Sequence, residues 1–210
     1  MPAQPASNSP ALVPPPRLVL ASSSPYRRAL LERFGAPFVS RAPDLDESAH
    51  AGESPWHLVR RLALAKALAL AHIHPQALII GSDQVAVLDG CALGKPGSEQ
   101  NAIAQLQQAS GRAVRFLTSL CLLDVGRGSH ELAVIASDVR FRRLSLQQIE
   151  NYVRRERPLD CAGSFKCEGL GIALFEAVSA DDPTALIGLP LIALAAMLSR
   201  AGFDVLADSP

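Results

Sequence analysis

Apolar and polar positions alternate along this chain in two different rhythms. Short apolar runs with the look of buried strands occur at Leu18-Val19-Leu20, over residues 37–42, at Leu78-Ile79-Ile80 and at Val85-Ala86-Val87-Leu88. Two longer runs, residues 114–125 and 131–142, predict a pair of long strands joined at Gly126-Arg127-Gly128-Ser129. Asp89-Gly90 is a common hairpin dipeptide and predicts a turn after the run ending at Leu88. The strand at Leu78-Ile79-Ile80 is expected to stop at Gly81-Ser82 and to deliver Asp83 at its end. Leu174-Phe175 should belong to the core.

Between these runs the spacing becomes helical. Ser24-Pro25 opens a helix that closes at Gly35, with serine as the N-cap and proline at the first helical position. Ser54-Pro55 opens a long helix over residues 53–74, with Leu58, Leu62, Ala65, Leu68 and Leu70 as its apolar face and Pro75 beyond its end. Ser98 and Ser145 cap two more helices, which Gly111 and Pro158 terminate. A final apolar helix follows Pro190 and runs through Met197, more apolar than an exposed helix should be; it is either core or partly an oligomer interface. The alternation predicts an α/β domain: a mixed, twisted central sheet flanked by helices, in two lobes around a cleft.

Composition narrows the function classes. The chain has 210 residues, 49% hydrophobic and 19% charged, with a formal net charge of +0. That suits one globular domain and argues against generic binding to nucleic acid or to an anionic membrane. No apolar run reaches transmembrane length. The opening residues, MPAQPASNSPALVPPP, lack the charged and apolar regions of a signal peptide. Residues 1–16 read as a disordered, proline-rich tail and 17–210 as the domain. Cys91, Cys121, Cys161 and Cys167 show no close zinc-type pairing and read as scattered thiols in a reducing cytosol, so a cytoplasmic location is expected. No histidine pair has metal-ligand spacing.

Several clusters carry candidate chemistry. Ser22-Ser23-Ser24-Pro25 leads into a helix with Arg27 and Arg28 in its first turn, an odd place for cations unless an anion sits there. Hydroxyls, free backbone N–H groups and two guanidiniums make a receptor for phosphate; the alternative is a strand-turn-helix with a solvated arginine pair. Asp44, Asp46 and Glu47 crowd one loop, which calls for a divalent metal, a nearby arginine or simple solvation. Asp83 lies between apolar runs, where a carboxylate is costly to bury without a purpose. Only three of the 20 basic residues are lysine: Lys66, Lys95 and Lys166. Each sits in a motif-like segment, the last in the glycine-rich stretch GSFKCEGLG. There is no GxxxxGK[ST] loop and no GxGxxG after a strand, so P-loop and Rossmann readings are not supported.

The segments ASSSPYRR, DLDE, LALAKA, GSDQV, LGKP, CAGSFKCEG and IGLPL, in this order and at these intervals, resemble the Maf family of nucleotide pyrophosphatases. The match runs from Leu18 to about Leu198. Ser82-Asp83-Gln84 with Ser164-Phe165-Lys166 and Glu168 is similar to the YceF-like branch, associated with 7-methyl-GTP. The resemblance implies hydrolysis of a nucleoside triphosphate between its α and β phosphates with a divalent metal cation, Mg²⁺, Mn²⁺ or Co²⁺. It implies that Ser22, Arg27 and Arg28 hold the phosphates, and that Lys66 and Lys95 neutralise developing charge. It makes Asp83 the proton acceptor, a metal ligand with Glu47, or both. Specificity falls to Tyr26, Gln84 and Glu168. An aromatic face can stack on a cationic N7-methylated base, and a carboxylate can pair with the N1–H and 2-amino edge of guanine. Tyr26 stands where close relatives often carry tryptophan. The partner expected is a small-molecule nucleotide, with the chain as a homodimer. The alternatives are the same chemistry on another nucleotide such as dTTP or UTP, or a nucleotide-binding regulator of septum formation with little turnover.

Overall fold

The computed structural model describes residues 18–207; the expected tail over residues 1–16 lies outside them. The described chain forms a seven-stranded mixed sheet with helices on both faces. β1 (Leu18–Ala21) leads to α1 (Pro25–Glu32), β2 (Phe38–Arg41) and α2 (Pro55–Ala69). β3 (Leu78–Leu88) and β4 (Cys91–Leu93) form a hairpin; α3 (Glu99–Ala109) and the long pair β5 (Ala113–Asp124) and β6 (Ser129–Phe141) follow. α4 (Leu146–Glu156), β7 (Phe175–Ala180) and α5 (Leu191–Arg200) complete the order. The strands lie in the order β2-β1-β3-β5-β6-β7, with β4 off the main path on β3. β2, β1 and β3 are parallel to their neighbours in this half; the pairings from β3 to β7 are antiparallel.

Alternation along the strands divides the core between the two faces. Leu18, Leu20, Leu78 and Ile80 pack with Leu30 and Leu31 of α1 and with Leu194, Met197 and Leu198 of α5. Val19, Ala21 and Ile79 point the other way, onto Ala63 and Ala67 of α2. A separate core fills the far half, where α3 and α4 pack on β5 and β6 around Phe116 and Phe141. Phe165 meets Phe116, Phe141 and Phe175 edge-to-face, with centroids 4.8 to 5.7 Å apart, and so ties the glycine-rich segment into this core. These two halves are the lobes, and a cleft opens between them.

Three expectations are corrected. β3 does not stop at Gly81-Ser82: it is continuous, and Asp83 lies mid-strand opposite Ser119. Glycine is used here for closeness, not for a turn. A Cβ built on Gly81 would stand 2.1 Å from the Ala63 carbonyl oxygen of α2. The second helix ends at Ala69, followed by a single tight turn at Ala71–Ile73, and its buried face is Val59, Leu62, Ala63, Lys66 and Ala67; Leu68 is exposed. Leu174 is core as expected, but Phe175 is only partly buried and opens β7 (Phe175–Ala180), an edge strand whose four middle side chains are exposed. The predicted turn holds, with Asp89 and Gly90 both at positive φ between β3 and β4. α5 is apolar because Leu191, Leu194, Met197 and Leu198 are core; Ile192 faces outward. No described helix is long and apolar enough to cross a membrane.

Candidate active site

A cleft of about 650 Å³ separates the lobes. Ser22, Tyr26, Arg27, Glu47, Lys66, Asp83, Gln84, Lys95 and Glu168 all line it, although they come from six separate stretches of chain. Arg28 does not. It is exposed and pairs with Glu32 one turn on, Nε to Oε1 at 3.1 Å, so the expected pair of phosphate-facing arginines is one arginine. Successive helical residues are about 100° apart, and only Arg27 takes the inward direction.

The turn before α1 is preorganised. The Ser22 hydroxyl, itself buried, accepts the Ser24 backbone N–H at 3.1 Å. Ser24 caps the helix by accepting from the Arg27 N–H. Arg27 is held from behind: its Nε donates to the Gly188 carbonyl at 2.8 Å. The same carbonyl accepts the Ser82 hydroxyl at 2.9 Å. Gly188 has φ of 124°, a region that a side chain would strain, and a Cβ there would lie 3.4 Å from Arg27 Nε. Burial lowers the Arg27 pKa from its usual value, opposed by Asp83 and Glu47.

The centre of the cleft is a triad of charges. Lys66 Nζ lies 2.6 Å from Asp83 Oδ1 and 3.1 Å from Glu47 Oε2. Lys66 and Asp83 are both buried. Burial pushes the Asp83 carboxyl above the usual range, against the pull of Lys66 and Arg27 and with a further push from Glu47. The crowded acidic loop thus has cationic neighbours. Lys66 takes Glu47, while Arg61 binds both oxygens of Glu53 at 2.7 Å and the Ser48 carbonyl at 2.8 Å. Among the described residues no group of three or more His, Cys, Asp or Glu side chains is arranged to hold a metal by itself. Glu47 and Asp83 nevertheless converge within one ammonium's reach, and their hard oxygens suit an ion that completes its shell with phosphate oxygens and water.

At the other wall stand Tyr26, Asp160, Cys161, Cys167 and Glu168. Gln84 faces the cleft, but its amide nitrogen is also engaged, within 3.1 Å of Thr118 Oγ1 and of the carbonyls of Ala185 and Leu186. It therefore braces the segment that carries Gly188.

A family model described as Maf-like protein matches residues 17–201. The chain belongs to the Maf family. It is 55% identical over 190 residues to a 7-methyl-GTP pyrophosphatase of Pseudomonas aeruginosa, covering 90% of this chain and 99% of that one. It is equally similar, at 55%, to a protein of that name from Alcanivorax borkumensis, and 53% identical to one from Albidiferax ferrireducens. Among solved structures it is similar to the HAM1 protein of Coxiella burnetii, with 15% identity and a TM-score of 0.45 over 61% of this chain and 74% of that one. In this Maf protein the residues that sequence reasoning missed are Gly188, Ser82 and Asp160. All three left a signal but no role, Ser82 within GSDQV, Gly188 within IGLPL and Asp160 directly before CAGSFKCEG; Gly188 acts through its backbone carbonyl and Ser82 through the hydroxyl it donates to that carbonyl.

Proposed function

We propose that this Maf protein hydrolyses 7-methyl-GTP to 7-methyl-GMP and pyrophosphate. The observation that carries the reading is the buried Lys66–Asp83 pair, 2.6 Å apart in a cleft that also holds Arg27 at a helix N-terminus. Names borne by relatives at 53–55% identity point the same way.

The residues divide the work as follows. The N-terminus of α1, Ser22 and Arg27 bind the phosphate chain, with Lys95 on the facing wall as a further cation. Lys66 neutralises charge at the anhydride and keeps the Asp83 carboxylate in place. Asp83 takes the proton of the attacking water, and its raised pKa makes it a better base than a solvated aspartate. Water adds, its proton passes to Asp83, and pyrophosphate departs as the α–β anhydride bond breaks. Glu47 and Asp83 would hold a divalent cation, Mg²⁺, Mn²⁺ or Co²⁺, whose chemistry is to neutralise phosphate oxygens and to acidify water. The base rests against Tyr26, with Glu168 on its guanine edge. Asp160 and Glu168 make this wall acidic, which favours a cationic N7-methylated base over a neutral one.

Product analysis tests the reaction type. Pyrophosphate and 7-methyl-GMP are expected; orthophosphate and 7-methyl-GDP would overturn it.

A further inference from the structure

The reaction above gives Gln105 no task, yet both ends of its amide bind loops of the cleft. Gln105 lies on α3, one helical turn after Asn101, so the two side chains share a face. Asn101 Nδ2 donates to the Pro96 carbonyl at 2.9 Å, and Gln105 Nε2 donates to the Gly94 carbonyl at 3.2 Å. These carbonyls flank Lys95, an exposed residue on the connection between β4 and α3 that lines the cleft. The Gly97 N–H donates to the Leu159 carbonyl at 3.1 Å and ties the same connection to the chain just before Asp160. The Gln105 amide oxygen accepts the hydroxyl of Ser164. Ser164 is fully buried and left-handed, with φ of 62°, directly after Gly163 with φ of 70°. It belongs to the glycine-rich segment that continues to Glu168. A carbonyl cannot donate, so the Gly94 bond fixes which end of the amide is nitrogen. Only a side chain with both a donor and an acceptor meets the two loops at once.

We propose that Gln105 is a positioning residue, a clamp that holds the loop of Lys95 in register with the segment that presents Glu168. The inference rests on the reading of Lys95 as a phosphate cation and of Glu168 as part of the base wall. Phosphates and base are the two ends of one nucleotide, so the separation between the groups that grip them is part of recognition. Lys95 is exposed, and on an unsupported connection its ordering would fall to the substrate and weaken binding. With the Gly94 and Pro96 carbonyls tied to one face of α3, the backbone at Lys95 is set before the nucleotide arrives. The Ser164 end does the same for the other loop. Serine rarely adopts the left-handed conformation, and its bond to Gln105 helps to hold it there. The helix between them is itself fixed, because Ala102, Leu106 and Ala109 are buried in the core of the far lobe. One side chain on a rigid element thus sets both loops.

The test compares wild type, Q105M, S164A, K95M and the Q105M/K95M double variant on 7-methyl-GTP and GTP, with thermal unfolding of each. Methionine keeps the length of glutamine and removes both hydrogen bonds. Q105M should lower kcat/KM by roughly tenfold on both nucleotides, which share the triphosphate, and should also lower the ratio of 7-methyl-GTP to GTP. S164A cuts only the bond to the base-wall segment and should lower that ratio by roughly three- to tenfold, with the larger loss on 7-methyl-GTP. In the double variant the loss on GTP should be no greater than in K95M alone, because Gln105 acts on the phosphates through Lys95. Additive losses in the double variant, or an unchanged nucleotide ratio in S164A, would overturn the proposal. Hydrogen exchange followed by mass spectrometry supplies a readout independent of turnover. In Q105M the peptides around Gly97 and Ser164, whose N–H groups bond the Leu159 and Cys161 carbonyls, should both exchange faster than in wild type. Faster exchange in only one of these segments, or in neither, refutes the clamp. Absence of nucleotide turnover in the wild type would instead refute the reaction and leave the exchange to decide the clamp.

Discussion

The Lys66 ammonium lies 2.6 Å from the Asp83 carboxylate, and the two come from a helix and a strand that glycine alone allows to touch. Both groups are buried, so each is costly without the other. Holding a charged pair in a nucleotide-sized cleft is a use of folding energy that a purely structural role does not require. Asp83→Asn keeps the shape and removes the base. It should lower kcat by ~10²–10⁴-fold while nucleotide binding, followed by calorimetry, persists. Full activity in this variant would remove Asp83 from the mechanism.

Gly81 sets the approach of α2 to β3. A Cβ at this position would meet backbone, the Ala63 carbonyl at 2.1 Å, which has no rotamer to give way. Gly81→Ala should destabilise the protein by ~1–3 kcal/mol and also lower kcat, because the displaced helix carries Lys66. Unchanged unfolding and unchanged kcat would show that the close approach is unimportant.

The two adjacent arginines of α1 should behave oppositely. Arg27 is seated on the Gly188 carbonyl and faces the cleft; Arg28 is exposed and pairs with Glu32. Arg27→Ala should cost roughly 10–100-fold in kcat/KM, the worth of a charged hydrogen bond to phosphate, whereas Arg28→Ala should stay within about twofold. Kinetics of the two variants side by side checks this. Equal effects would contradict the orientation of the helix.

Much of this was legible beforehand, and for a physical reason. Serine caps, prolines at the first helical position and apolar alternation are local signals, so the strands β1, β5 and β6 and the starts of the helices could be read directly. Asp83, Lys66 and Glu47 could be singled out because charge in an apolar or crowded context is conspicuous. What could not be read depends on partners distant in the chain. Gly81 looks like a strand stop until the helix above it is known, and Arg28 looks like Arg27 until the helix is docked. Gly188 works through its carbonyl oxygen, a group every residue carries.

The thiols offer a check on the cleft wall. Burial pushes Cys121, Cys161 and Cys167 up to about 12, with Asp160 and Glu168 adding to the effect at the last two, whereas Cys91 is exposed. At pH 8 iodoacetamide should therefore modify Cys91 first, with the other three slow in the native protein, as mass spectrometry of a time course would register. Labelling of Cys161 or Cys167 as fast as Cys91 would mean that the wall is more open than described.

The most direct test of the central claim is pyrophosphate release from a panel of 7-methyl-GTP, GTP, dTTP, UTP and CTP, with Mg²⁺, Mn²⁺ or Co²⁺ and with chelator. The account predicts metal-dependent release that is fastest by kcat/KM on 7-methyl-GTP and abolished by chelation. Preference for dTTP or UTP would contradict the assignment of the base wall, and no release from any nucleotide would contradict the reaction itself.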